Sequence, residues 1–162
     1  MGKPAHLGAL LFSALAYCGH SNVVLASETC QTHKMRNVES TVNRMAATMI
    51  DNAPLECKLM PEKGGAQCSF LCVTAYTMSE SQRTSALVYL VGITGLQVNQ
   101  IGVSRFKNVM YLDRATAHDG YGMSISADDA ARLQHQIKSD QITAKQFLAG
   151  VLQAFHRVST KK

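Results

Sequence analysis

The alternation of apolar and polar positions along the chain predicts an α+β domain with about four helices. Apolar residues recur at helical spacing in four stretches, each preceded by a residue that can cap a helix N-terminus. These helices are predicted to begin near Asn37, Ser79, Ser126 and Thr143. The last has the strongest apolar face, so we expect it to pack on the sheet and the helix before it to be more exposed.

Between these helices lie shorter segments rich in β-branched and aromatic residues. The stretch 55–78 reads as a β-hairpin, 103–113 as a third strand, and 121–126 as a candidate fourth strand that returns beside the third. The pattern therefore predicts a small antiparallel sheet packed with about four helices.

The N-terminus has the pattern of a secretory signal peptide. A short head is followed by the apolar run Leu7 to Ala16, which is shorter than the roughly 20 residues that a membrane-spanning helix needs. Small residues suitable for cleavage end at Ala26. We expect residues 1–26 to be a signal peptide, residues 27–162 to form a single disulfide-stapled domain, and the protein to be periplasmic or secreted.

A second mode of export would use Cys18. The residues Leu15-Ala16-Tyr17-Cys18 resemble the bacterial lipobox, in which the cysteine becomes lipidated and forms the mature N-terminus. Tyr17 stands where that pattern has a small residue, which favours cleavage near Ala26. A lipoprotein anchored through Cys18 remains the alternative.

Cleavage near Ala26 would leave four cysteines: Cys30, Cys57, Cys68 and Cys72. An even number in an oxidising compartment indicates two disulfides. Residues 68 and 72 of one strand lie about 13 Å apart, which is too far for a bond between them. Each must therefore pair with Cys30 or Cys57.

The turn of the hairpin decides between the two remaining schemes. A loop at 61–64 would use Pro61 where turns favour proline and would place Cys57 opposite Cys68. Cys30 would then pair with Cys72. A tight turn at Gly64-Gly65 would place Cys57 opposite Cys72, but Pro61 would then lie in a strand. We favour the first scheme.

Charge and cysteine spacing exclude several functional classes. The formal net charge is +5, yet only Lys161 and Lys162 are adjacent basic residues, so we expect no specific nucleic-acid binding. The spacing of the cysteines is unlike that of zinc sites, and the chain has no phosphate-binding glycine loop or dinucleotide motif. We therefore expect no metal and no cofactor, and no membrane span in the mature chain.

The polar connection after the third predicted strand holds the best candidate site. Asp113, His118 and Asp119 could form a general base oriented by a carboxylate, since strand ends often carry such groups. The same loop offers Arg114, His118, Asp119 and Tyr121 as binding residues.

Two functions follow from these patterns. We favour an interaction, accessory or inhibitor-type protein of the cell envelope over an enzyme, with another exported or envelope protein as its partner. Its working surface would be an exposed sheet face or the loop 114–122. The alternative is a small exported hydrolase that uses His118 with Asp113 or Asp119. The sequence leaves the oligomeric state open.

Overall fold

The computed structural model describes residues 30–49 and 55–160, the side chains of Thr48 and Met49 excepted. The predicted signal peptide, its cleavage site and Cys18 lie outside the described residues. The helices are α1 (His33–Met49), α2 (Glu80–Ile101), α3 (Arg114–His118), α4 (Ala127–Lys138) and α5 (Ala144–Ala154). The strands are β1 (Glu56–Pro61), β2 (Cys68–Val73), β3 (Phe106–Leu112), β4 (Tyr121–Ser126) and β5 (His156–Ser159), and a 3₁₀ turn (Val103–Arg105) precedes β3.

The α+β class is confirmed, but the sheet is larger than expected and mixed. Its five strands run in the order β1-β2-β3-β4-β5, and β2 and β3 are parallel whereas the other pairs are antiparallel. The parallel pair arises because α2 carries the chain from the end of β2 back to the level of its start. The expectation of a purely antiparallel sheet was wrong for this pair.

Local capping signals place three of the four predicted helix starts correctly, whereas α1 begins at His33 and not near Asn37 as expected. Ser79 and Thr143 each accept a hydrogen bond from the backbone N–H three residues on, and the side-chain oxygens of Gln82 and Gln146 accept one from the backbone N–H of the cap residue, which completes two capping boxes. Ser126 caps α4 in the same way through the backbone N–H of Asp129. These contacts satisfy N–H groups that the first turn leaves without helical partners.

The two C-terminal helices exchange the roles predicted for them. Helix α4 packs against α2, β3 and β4, whereas α5 packs against α4 and α2. The close contact between α2 and α4 depends on Gly95, where an added methyl would overlap the carbonyl oxygen of Ala130. In α5, Leu148 and Leu152 stay exposed because only one side of the predicted apolar face meets the core.

The four described cysteines form two disulfides, as predicted, but the favoured pairing was wrong. Cys30 is bonded to Cys68 and Cys57 to Cys72, which is the pairing that places Pro61 in a strand. The hairpin register places Cys57 opposite Cys72 and makes Pro61 the last residue of β1.

The backbone hydrogen bonds explain why proline is tolerated in β1. The N–H of Cys57 bonds to the side chain of Asn43 and that of Leu59 to Glu39, so odd-numbered residues of β1 direct their backbone groups away from β2. At Pro61 the missing N–H would have faced the outer edge, and no hydrogen bond to β2 is lost. The expected loop at 61–64 is instead a six-residue connection between strands.

Candidate functional site

The predicted site loop is a short helix followed by a turn. Asp113 directly follows β3 and caps α3, which begins at Arg114 and ends at His118, and Asp119 lies directly after it. Tyr121 begins β4. The chain therefore separates Asp113 and His118 by one and a half helical turns.

Asp113 is the centre of a buried polar cluster. Its carboxylate accepts hydrogen bonds from the backbone N–H of Thr116 at 2.8 Å, from Nε of Arg83 at 2.7 Å and from the hydroxyl of Tyr111 at 3.3 Å. Arg83 also donates to the carbonyl of Met78 at 3.3 Å. The cluster joins the N-terminal end of α2 to the end of β3, and the Asp113 side chain is fully buried.

The surroundings of Asp113 keep it ionised. Burial alone would raise its pKa, but the Thr116 backbone N–H and the Arg83 guanidinium stabilise the carboxylate and hold the pKa below its ordinary value. Burial, together with the Asp113 charge, raises the pKa of Tyr111, so this phenol stays protonated and donates to Asp113. A carboxylate that accepts three bonds and has no exposed surface is suited to holding the fold together.

His118 lies in a different environment. Its imidazole is 3.5 Å from the carboxylate of Asp119, and the two side chains are 88% and 60% exposed. A pair this exposed is weak because water screens it. The structure records no bond between His118 and Asp113, so the hydrolase that combines them stays a prediction.

Tyr121 contacts one arginine, Arg157, and lies near enough to a second, Arg83, to interact with its charge. The guanidinium of Arg157, on β5, lies over the Tyr121 ring at 3.6 Å from its centroid, a cation–π contact. Arg83 is close enough for the Tyr121 phenol to influence its pKa. Neither arginine lies near Tyr121 in the sequence, so no local pattern could have identified this group.

The sheet has one face buried under helices and one that is partly exposed. Alternate residues of β2, β3 and β4 face the helices, and Phe70, Val109 and Ile125 among them are fully buried. The register places the intervening residues on the other side, which we call the open face. There the side chains of Met60 and Val73 are 46% and 40% exposed.

Apolar side chains form the centre of the open face and polar ones its margin. The strand pairing sets Leu71 beside Met110, and Val73 beside Leu112. Val158 lies opposite Gly122, over which Leu112 leans, since a methyl added at Gly122 would be 3.3 Å from Cγ of Leu112. The polar residues around this centre are Glu56, Lys58, Ser69, Asn108, Ser124, Ser126 and His156, of which Ser69 and Ser124 are buried.

Other kinds of site have no support in the part of the chain that the structure describes. These residues contain no group of three or more His, Cys, Asp and Glu side chains arranged to hold a metal ion. They also include no helix of sufficient length and apolarity to cross a bilayer. The two disulfides point toward an oxidising, exported environment.

Comparison of the chain with protein-family models, with curated proteins and with solved structures found no match.

Proposed function

We propose that this chain is an exported interaction protein, an accessory or inhibitor-type component of the cell envelope, which binds another exported protein through the open face of its sheet. The observation that carries the proposal is the arrangement of this face. An apolar centre of Leu71, Val73, Met110 and Leu112 is surrounded by polar residues, as in protein interfaces.

The framework around this face supports binding. The Cys30–Cys68 and Cys57–Cys72 bonds both end on β2, so the strand that carries Leu71 and Val73 is held covalently at two points. A surface that is rigid before binding loses little conformational entropy when a partner docks. Disulfides would also persist where an exported protein works.

The buried cluster at Asp113 contributes to the proposed binding surface only by supporting the sheet. It fixes the end of β3, where Leu112 lies, by joining Asp113 to Arg83 on α2. Because its carboxylate is fully engaged and inaccessible, we assign it the role of supporting the sheet.

Site-specific photo-crosslinking in the native envelope tests the proposal. A photoreactive residue at position 73 reports on the open face, and one at position 152 is the matched control, since Leu152 is similarly exposed but lies on α5. We expect a discrete crosslinked protein from position 73 alone. Met110→Lys places a charge in the apolar centre, and we expect it to remove that crosslink.

Two outcomes would contradict the proposal. One is that positions 73 and 152 give the same crosslinks. The other is that Met110→Lys, still folded by circular dichroism, leaves the crosslink unchanged. The proposed export has its own readout, because the mature mass should lack residues 1–26 and gain four hydrogens on reduction of two disulfides.

A further inference from the structure

The carboxyl ends of β2 and β3 lie together at one end of the sheet, where α2 begins. The two strands are parallel and α2 connects them, so this end is the crevice of a βαβ unit. In open α/β sheets, ligands bind outside the carboxyl ends of such strands. Arg83, in the first turn of α2, and Asp113, directly after β3, both lie at this end.

The strand register brings a second arginine to the same end. The pairing of Tyr111 with Met123 sets Asp113 beside Tyr121 when it is continued by two residues. Arg157 lies opposite Met123 on β5, and its guanidinium reaches back over the Tyr121 ring, 3.6 Å from the centroid. All these side chains lie on the helix side of the sheet, because they alternate with residues of the open face.

Arg83 and Arg157 therefore lie on either side of Tyr121. The Nε of Arg83 is 2.7 Å from the Asp113 carboxylate, whereas Arg157 lies over the neighbouring strand. Strands are about 4.8 Å apart, so we expect the two guanidinium groups to be separated by roughly 5–10 Å. A single anionic group with donors at about 2.9 Å on either side fills a gap of this size.

Only one of the two positive charges is balanced. Arg83 forms an ion pair with Asp113, whereas no carboxylate in the described part of the chain forms one with Arg157. Asp119, the acidic residue nearest to Tyr121 in the sequence, lies beside His118 instead. Two positive charges and one negative charge leave this cluster with one excess positive charge.

The cation–π contact leaves Arg157 able to bind a further group. Tyr121 contacts the flat face of the guanidinium, and the N–H donors of a guanidinium point outward in its plane. Arg157 is also exposed. A singly charged carboxylate would balance the excess charge, whereas a phosphate dianion would leave a negative charge in excess beside the buried Asp113.

We propose that Arg83 and Arg157 bind a carboxylate at the carboxyl ends of β2 and β3, with Arg157 held in position by the Tyr121 ring. Arg157 would donate two parallel N–H bonds to the carboxylate oxygens, and Arg83 would attract them from the other side while it stays bound to Asp113. The carboxylate could belong to a small acid or to an acidic side chain of a partner protein. The site and the open face are on opposite sides of the sheet, so either proposal can fail without the other.

NMR of the arginine side chains tests this assignment on the full chain with its disulfides intact. Sodium acetate is the probe, and sodium chloride at the same ionic strength is the control. We expect acetate to shift the Nε–Hε signals of Arg157 and Arg83 saturably, with a dissociation constant on the order of 10 mM, because few groups hold so small a ligand. Chloride should not reproduce the shift. This comparison does not depend on the folding of any variant.

Two peptides distinguish the sources of the carboxylate. An acetylated tripeptide amide of glycine, glutamate and glycine presents the group on a chain, and the same peptide with glutamine lacks the charge. Binding of the glutamate peptide at least as tightly as acetate would assign the site to a partner's side chain. Binding of acetate alone would assign it to small acids. In both cases the glutamine peptide should leave the arginine signals unchanged.

Three variants test the role of each group. Arg157→Gln should abolish the saturable shift at Arg83, because it removes the unbalanced charge. Arg157→Lys keeps the charge but loses the planar fork, and it should weaken binding about fivefold. Tyr121→Leu removes the ring that positions Arg157 and should weaken binding by a similar factor.

Arg44→Gln is the matched control. It removes the same charge at an exposed position on α1, which packs against β1 at the opposite edge of the sheet from β5. We expect acetate binding within about twofold of wild type, since charges beyond a Debye length of about 10 Å are screened.

Three results would overturn the proposal. The first is that acetate produces no more shift in the wild-type protein than chloride does. The second is that the shift at Arg83 persists unchanged in a folded Arg157→Gln variant. The third is that inorganic phosphate at pH 8 binds more than about tenfold tighter than acetate, because the site would then favour a dianion.

Discussion

Replacing Asp113 by Asn removes the buried charge and retains the size of the side chain. The amide oxygen can still accept the backbone N–H of Thr116, which the Asp113 carboxylate accepts at 2.8 Å. Its NH₂ group, however, would face the Nε donor of Arg83, which is 2.7 Å from the carboxylate in the native protein. Two donors then face each other, and the Arg83 guanidinium loses its counter-charge.

The structure sets the size of the expected loss of stability. A hydrogen bond to a charged group contributes about 1.5–3 kcal/mol, and removing one partner of a buried ion pair typically destabilises by about 3–5 kcal/mol. The Arg83 side chain is 25% exposed, so water can solvate part of its charge. We therefore expect Asp113→Asn to lower the free energy of unfolding by about 2–4 kcal/mol, measured by urea denaturation at pH 7 with the disulfides intact.

The pH dependence gives a second readout. The pKa of Asp113 is lowered in the folded protein, so its contribution is fully present above the unfolded pKa of about 3.9 and is lost as pH falls through the folded value. The difference between wild type and Asp113→Asn should stay constant from pH 5 to 8 and shrink below pH 4. A difference under about 0.5 kcal/mol at pH 7, or one that does not shrink in acid, would refute the reasoning.

The chain offers a matched control for this ion pair. Arg132 and Asp129 on α4 have the same N–O distance of 2.7 Å as Arg83 and Asp113, but their side chains are 54% and 43% exposed. Exposed pairs contribute about 0–1 kcal/mol. Arg132→Gln should therefore have a small effect on unfolding, whereas Arg83→Gln should approach that of Asp113→Asn.

Two further predictions use variants that differ in one structural respect. Gly95→Ala should destabilise the protein by about 1–3 kcal/mol, because the added methyl overlaps the Ala130 carbonyl of α4. Gly92 has open space around it, so Gly92→Ala should stabilise the helix by up to about 1 kcal/mol. Equal melting temperatures of the two variants would contradict this. The Cys30–Cys68 bond closes a loop of 38 residues, and its removal should lower stability by about 4 kcal/mol. The Cys57–Cys72 bond closes a loop of 15 residues, and its removal should lower stability by about 3 kcal/mol. Non-reducing peptide maps check the pairing, and urea midpoints check which removal costs more stability.

Three helix starts could be predicted from the sequence because each depends on residues three positions apart, whereas the start of α1 at His33 was not predicted. Ser79 with Gln82, and Ser126 with Asp129, form their caps without help from distant parts of the chain. The parallel pairing of β2 and β3 depends instead on where a 22-residue helix ends relative to the sheet. Nothing in the two strand sequences distinguishes this arrangement from an antiparallel one.

Strand β5 and the disulfide pairing were missed for related reasons. His156–Ser159 is too short and polar to show a strand pattern, and it pairs only because α5 returns the chain beside β4. The position of Pro61 was interpreted from its general preference for turns, but the side to which its backbone nitrogen points depends on Asn43 and Glu39 of α1. Long-range contacts decided both features.

The same limit applies to the candidate site. The sequence predicts a polar loop at 114–122 next to a strand end, and the structure places Asp113 and Tyr121 at neighbouring strand ends. The sequence could not show that Arg83, thirty residues earlier, would form an ion pair with the Asp113 carboxylate. Burial and partners, which decide whether a carboxylate is available for chemistry, are properties of the assembled fold.

Covalent support is concentrated on one side of the sheet, and this bears on where variants can be tolerated. Both disulfides end on β2, one from Cys57 of β1 and one from Cys30 just before α1, whereas β4 and β5 are held by the ladder and by packing. Changes at exposed β5 positions such as Arg157 remove neither a disulfide nor an ion pair among the described residues, so we expect them to leave the protein folded.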